Sequence, residues 1–120
     1  MKTTTKVTLG FLDNTQTFLI NAKQSDTNRI IIIQIVDELT LVDFTDVSTA
    51  TLHYGGNSMD ITDVMNREDS SFTIHLNEGM LSSIGDLQCE IVLKNSKNIN
   101  ILTTNTFTIR INDLRGGCNC

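Results

Sequence analysis

An all-β domain, an antiparallel sandwich or barrel of seven or eight short strands, is what this 120-residue sequence predicts. Three observations predict it. Apolar residues recur at every second position in run after run, the period of a strand with one buried face. Turn-forming clusters interrupt those runs about every 8–12 residues, the spacing of sandwiches and barrels. Thr, Ile and Val are abundant, and β-branched side chains fit a pleated, half-buried surface better than a helix. There is no βαβ-length unit and no internal repeat, so the length suits one domain.

The strands follow in order. "VTLGFL", 7–12, places Val7, Leu9 and Phe11 on one face, and "DNTQ" ends it as a turn. "TFLI", 17–20, is a short strand, and "NAKQSDTN", 21–28, a polar connection. "RIIIIQIV", 29–36, is apolar on both faces, with Ile31, Ile33 and Ile35 on one and Ile30, Ile32 and Val36 on the other. Periodicity alone does not separate such a run from a buried helix; its β-branched content does. A strand of this kind is central and covered twice, or it lies at a contact between subunits.

"DELTLVDFTDV", 37–47, is a connection with an extended piece around Leu41. In "VSTATLHY", 47–54, Ala50, Leu52 and Tyr54 share a face. "GGN", 55–57, supplies a tight turn, and "SMDITDVM" returns with Met59, Ile61 and Val64 facing in. After the polar loop "NREDSS", 66–71, "FTIHL" at 72–76 turns Thr73 and His75 outward.

Alternation then stops in "NEGMLSSIG", 77–85, and restarts in "DLQCEIVLKN", with Leu87, Cys89, Ile91 and Leu93 inward. A sandwich explains the interruption, because a segment passing from one sheet to the other has no fixed inner face. Asn77 is placed to cap a single helical turn. Met80, Leu81 and Ile84 are expected to plug the end of the core, and Gly85 to let the chain swing into the next strand. "NSKN" is a turn, and "INILTTNTFTIRIN" closes the domain with Phe107, Ile109 and Ile111 inward. The sandwich thus spans 1–112, and "LRGGCNC" with Asp113 reads as a flexible tail, 113–120.

A chain of this length buries roughly two thirds of its unfolded surface. Its aromatic fraction is only 5%, so the core must be aliphatic. The net charge of −5 and the lack of a basic cluster exclude direct phosphate binding, so nucleic acid is not an expected partner. "MKTTTKVTLGFL" has no apolar run of signal length, and no stretch nears a membrane span, so no membrane partner is expected. The chain is expected to be made in a cytoplasm. Cys89, on the apolar side of a strand, reads as a small hydrophobe.

Candidate chemistry is thin. His53 and His75 lie on strand faces without an evident third ligand for a metal. Asp37, Glu38, Asp43 and Asp46 cluster on one connection but lack the EF-hand pattern, and they read as a solvated acidic loop. Glu90 faces outward, with no paired carboxylate for glycoside chemistry. Cys118 and Cys120 form a C-x-C pair without a CxxC or His partner, and read as reduced thiols in a frayed end, with contact between chains as the alternative. No hydrolase, metalloprotease, phosphate-loop or dinucleotide motif occurs. No catalytic, cofactor-binding or metal residue is therefore assigned, and an enzyme is not expected.

The strand ending in "FTIHL", then "NEGMLSSIGDLQCEIVL", then "TTNTFTIRI", together resemble the N-terminal domain of phage baseplate upper proteins from tailed phages of Gram-positive hosts. The features that carry the resemblance are Leu81, Gly85, the run Cys89-Glu90-Ile91-Val92-Leu93, the pair Thr103-Thr104 opening a final strand, and Phe107 with Ile109. Asp26 before the isoleucine-rich strand and "LTLVDFTDVSTATLHY" agree as well, so the likeness covers most of 15–111. It implies an immunoglobulin-like β-sandwich serving as a virion structural protein of the tail baseplate. Its expected partners are other tail proteins and further copies of itself. The chain ends nine residues after Ile111, without the family's distal arm, which implies a stand-alone version, an adaptor or a decoration protein. Two other roles stay open: a head decoration or head-fibre protein, and a carbohydrate-binding module using Tyr54 for stacking.

Overall fold

The computed structural model describes residues 3–10, 18–24, 29–37, 40–104 and 106–112. Phe11, the Cys118–Cys120 pair and the whole 113–120 segment lie outside these residues, as does Glu38. Within them the regular structure is strand but for one 3-10 turn, arranged as two sheets packed face to face.

The first sheet holds β1 (Thr3–Leu9), β3 (Arg29–Asp37), β8 (Ser71–His75) and β7 (Met65–Asn66) side by side, with β4 (Thr40–Leu41) also pairing with β3. The second holds β2 (Phe18–Lys23), β11 (Phe107–Asn112), β9 (Gly85–Lys94), β5 (Thr49–Tyr54) and β6 (Asn57–Asp60), with β10 (Asn100–Thr103) also on β9. The registers align the apolar rows. Val7, Ile33 and Phe72 stand abreast in the first sheet, and Ile20, Ile109 and Leu87 in the second. All but Leu87 are buried, and Leu87 packs against them. Each fully buried Ile, Leu or Phe contributes roughly 1.5–3 kcal/mol relative to leaving it in water.

Two features of the sandwich differ from a purely antiparallel one. β1 runs parallel to β3, and β2 parallel to β11. The chain crosses between sheets after β1 and again after β2, and two crossings return β3 beside β1 in the same direction. Side chains alternate with period 2 in either pairing, so the sequence carries no sign of it. The strands are also more numerous, because β4 and β7 are two-residue pieces.

The segment where alternation fails does connect the sheets, from β8 in one to β9 in the other. Asn77 caps it: its Oδ1 accepts from the Met80 N–H at 2.9 Å, while the Leu81 N–H donates to the Asn77 carbonyl at 3.2 Å. Met80 and Leu81 close the end of the core. Ile84 does not; it is 59% exposed, lying beyond the capped turn. Gly85 enters β9 with φ +132°, a conformation that L side chains rarely adopt. The other tight turn places Gly55 at φ +59° between Tyr54 and Asn57, which pair across the hairpin.

Three further expectations shift. β2 continues to Lys23 instead of ending at Ile20: Ala22 is buried, and the polar letters Asn21 and Lys23 stand on the outer face. Val64 is exposed, because the chain leaves the ladder at Ile61 for one 3-10 turn, Thr62–Val64. Asp60 Oδ1 starts that turn by accepting from the Thr62 N–H (2.9 Å) and hydroxyl (2.6 Å). The closing strand begins at Phe107, not at Thr103-Thr104. Thr103 ends β10, and the buried Thr104 forms the break, exchanging bonds with Ile91: its Oγ1 accepts from Ile91 N–H and its own N–H donates to the Ile91 carbonyl, both at 2.9 Å.

The long connection before β5 is tied down by groups the sequence does not advertise. Arg67 donates to the carbonyls of Phe44 and of Val47 (2.8 Å for the latter), and the Ser70 hydroxyl donates to the Val42 carbonyl. Phe44 is thereby held 5.5 Å, ring to ring, from Phe72 at an interplanar angle of 41°.

Candidate functional site

β3 lies between β1 and β8, the central place its two apolar faces predict. Its inner row, Ile31, Ile33 and Ile35, is fully buried. Its outer row, Ile30, Ile32 and Val36, is only half-buried. Register extends that row into a strip. Val36 pairs with Leu41, which is 42% exposed, and Gln34 sits within the row, its Nε2 donating to the Asp69 carbonyl at 3.0 Å. Lys6 and Thr73 flank Ile32, and His75 flanks Ile30; all three are exposed. The strip is therefore apolar along its middle, with one lysine on one side and one histidine on the other. Such a surface suits contact with another protein better than it suits chemistry, which needs convergent polar groups.

The individually predicted residues do not assemble into a reactive centre. His53 and His75 stand on opposite sheets, His53 half-buried beside Glu90 in register on the second. Among the described residues no three His, Cys, Asp or Glu side chains converge to hold a metal ion. Asp43 is engaged locally: its Oδ1 accepts from the Thr45 hydroxyl and from the Thr45 N–H (2.9 Å), and these bonds hold its pKa below the ordinary value. Asp46 is exposed. Asp37 ends β3, and its side chain lies outside the described residues. Cys89 is buried and free, and burial pushes its thiol pKa up to about 12, so it is inert packing. Tyr54 is half-buried against the core and borders a cleft beneath the sheet-crossing segment. Sequence reasoning missed that cleft, since its walls come from three distant stretches. No helix of the described residues is long and apolar enough to cross a membrane.

No model of a known protein family matches the chain, and no curated protein matches it in sequence. Solved structures do match in shape. The N-terminal domain of phage TP901-1 ORF48 superposes with a TM-score of 0.78 at 13% identity, covering 92% of this chain and 98% of that one. Fibronectin(III)-like modules of Clostridium thermocellum CbhA reach a TM-score of 0.46 at 7% identity, over 88% of this chain and 96% of that one. The cysteine protease inhibitor EhICP2 from Entamoeba histolytica also reaches 0.46, at 15% identity, over 90% of this chain and 96% of that one. The last two are too loose to carry an argument. The first shows a shared fold, so the expected likeness to a phage-protein domain holds at the level of fold alone.

Proposed function

We propose that this chain is a non-enzymatic structural protein of a phage virion, working as a protein–protein docking module in the tail baseplate. The observation that carries the reading is the match to a phage protein's N-terminal domain across 98% of that domain. The half-buried outer row of β3 supports it, since a sandwich needs only its inner rows to stay folded. In this reading the row of Ile30, Ile32 and Val36, with Leu41, packs against a neighbouring tail protein, and Lys6 and His75 meet acidic or polar groups at the rim. Finishing the burial of four aliphatic side chains contributes somewhat less than the roughly 1.5–3 kcal/mol each that full burial would give, set against the cost of association. Copies of the chain would then be arranged by the symmetry of the tail, and the partners would be tail proteins and other copies of itself.

Cryo-microscopy of the virion that carries the chain tests this directly. Density for the sandwich at the tail tip, with β3 facing a neighbour, is the expected result. Density on the capsid would replace the proposal with a head decoration or head-fibre role, and absence from the particle would overturn both.

A further inference from the structure

At the end of the sandwich where 77–84 passes between the sheets lies a cleft of about 290 Å³. Met80, Leu87 and Ile111 give its lining an apolar part, and polar groups make up the larger share. Tyr54 borders it from the end of β5, and Asn57 and Ser83 stand at its rim, both exposed. Among the described residues the Tyr54 hydroxyl, the Asn57 amide and the Ser83 hydroxyl make no hydrogen bond, so each is open to a ligand. One carboxylate, Asp86, lines the cleft. It is paired with Arg110 through Nε–Oδ1 at 2.8 Å and Nη2–Oδ2 at 3.2 Å, across the β9–β11 ladder.

We infer that this cleft binds a neutral, polyhydroxylated ring, the chemistry of one pyranose unit. The volume sits at the lower end of ligand pockets, which fits one ring and not a chain. A phenol, an amide and a hydroxyl supply both donors and acceptors for the hydroxyls of such a ring, and the smaller apolar part of the lining offers contact for its C–H groups. Asp86 repels an anion, and its pairing with Arg110 weakens its pull on a cation. A Cβ at Gly55 would stand 3.2 Å from Leu87 Cδ1 and push that lining residue. This binding is separate from the docking strip on β3, which belongs to the other sheet.

The test is a titration of the 15N-labelled full chain with methyl glucoside, methyl galactoside, methyl rhamnoside and N-acetylglucosamine, with glucuronate as the charged control. At least one neutral probe should give saturable amide shifts confined to Tyr54–Asn57 and Gly79–Leu87, unchanged by high salt. Asn57→Ala, Ser83→Ala and Tyr54→Phe should each weaken it by about five- to tenfold, the loss of one hydrogen bond. Tyr54→Ala should abolish it; if that variant does not fold, the other three decide. Lack of saturable shifts with every neutral probe overturns the proposal, as does binding indifferent to all three conservative variants. Preferential binding of glucuronate, lost in salt, would overturn the neutral class.

Discussion

β3 and β9 are the long interior strands of their sheets, nine and ten residues, and each has an inner row that is wholly or largely buried. Their outer rows differ. β9 presents Asp86, Gln88, Glu90 and Lys94, with Val92 alone apolar, the polar facing expected of an antiparallel sheet with one wet side. β3 presents Ile30, Ile32 and Val36, with only Gln34 polar. The core places the same demand on both strands, so the core does not account for the difference. What an outer row contains is free to be set by whatever lies outside the molecule, and the docking role proposed for β3 asks for an apolar neighbour there.

Truncating the inner rows should show that the two strands are equal where they face the core. Ile33→Ala on β3 and Ile91→Ala on β9 should each cost about 2–5 kcal/mol in urea denaturation. A loss below about 1 kcal/mol at either site would break the symmetry on which the comparison rests. Next in size is Thr104→Val, peculiar to β9. It removes the acceptor for the buried Ile91 N–H and should cost about 1–3 kcal/mol by the same measurement.

The outer rows should separate stability from docking. Ile32→Thr should change the isolated chain's stability by no more than about 0.5–1 kcal/mol, while removing incorporation into tails in a reconstitution assay. Glu90→Gln on β9 should leave both unchanged. Equal loss of incorporation in the two variants would sink the assignment of the docking face to β3.

The smallest effects are those of pH. Hydrogen bonds from Arg110 to Asp86, from Thr45 to Asp43 and from Thr62 to Asp60 hold these carboxyls below their ordinary range. Their stabilising contribution is present above the unfolded carboxylate pKa near about 4 and fades as pH falls through the lower folded values. All three groups are open to water, so the slope of the urea midpoint below that pH should be slight, and slighter still in Asp86→Asn. At the alkaline end Cys89 has the opposite sign. Its folded pKa of about 12 exceeds the ordinary 9.0, so its contribution is intact below 9 and lost between 9 and 12. The difference between the wild-type and Cys89→Ala stability curves should tilt across that window and be flat below it.

The period-2 rows were legible because a half-buried strand writes its inner face directly into the sequence. Cys89, Ile91 and Leu93 are buried as expected, whereas on β3, apolar on both faces, only the structure shows that Ile31, Ile33 and Ile35 are the inner row. The sheet crossing was legible for the complementary reason, since Asn77, Met80, Leu81 and Gly85 break the period together. Strand direction was not legible, because alternation is the same in parallel and antiparallel ladders. Val64 and Ile84 were misplaced because apolar letters next to a turn obey the turn and not the strand. The cleft was invisible for a topological reason: Tyr54, Asn57, Ser83 and Ile111 meet only once the second sheet has formed and the crossing segment lies against it.

The ladder between β2 and β11 sets Phe18 beside Phe107, so an earlier stretch waits for a much later one. Until then β2, among the described residues, has no neighbour in its own sheet, and the second sheet lacks its seam. Such long-range closure slows folding, and it makes synthesis of β11 the event that locks the sandwich. Fragments ending within β10 should be soluble only in the keeping of a chaperone.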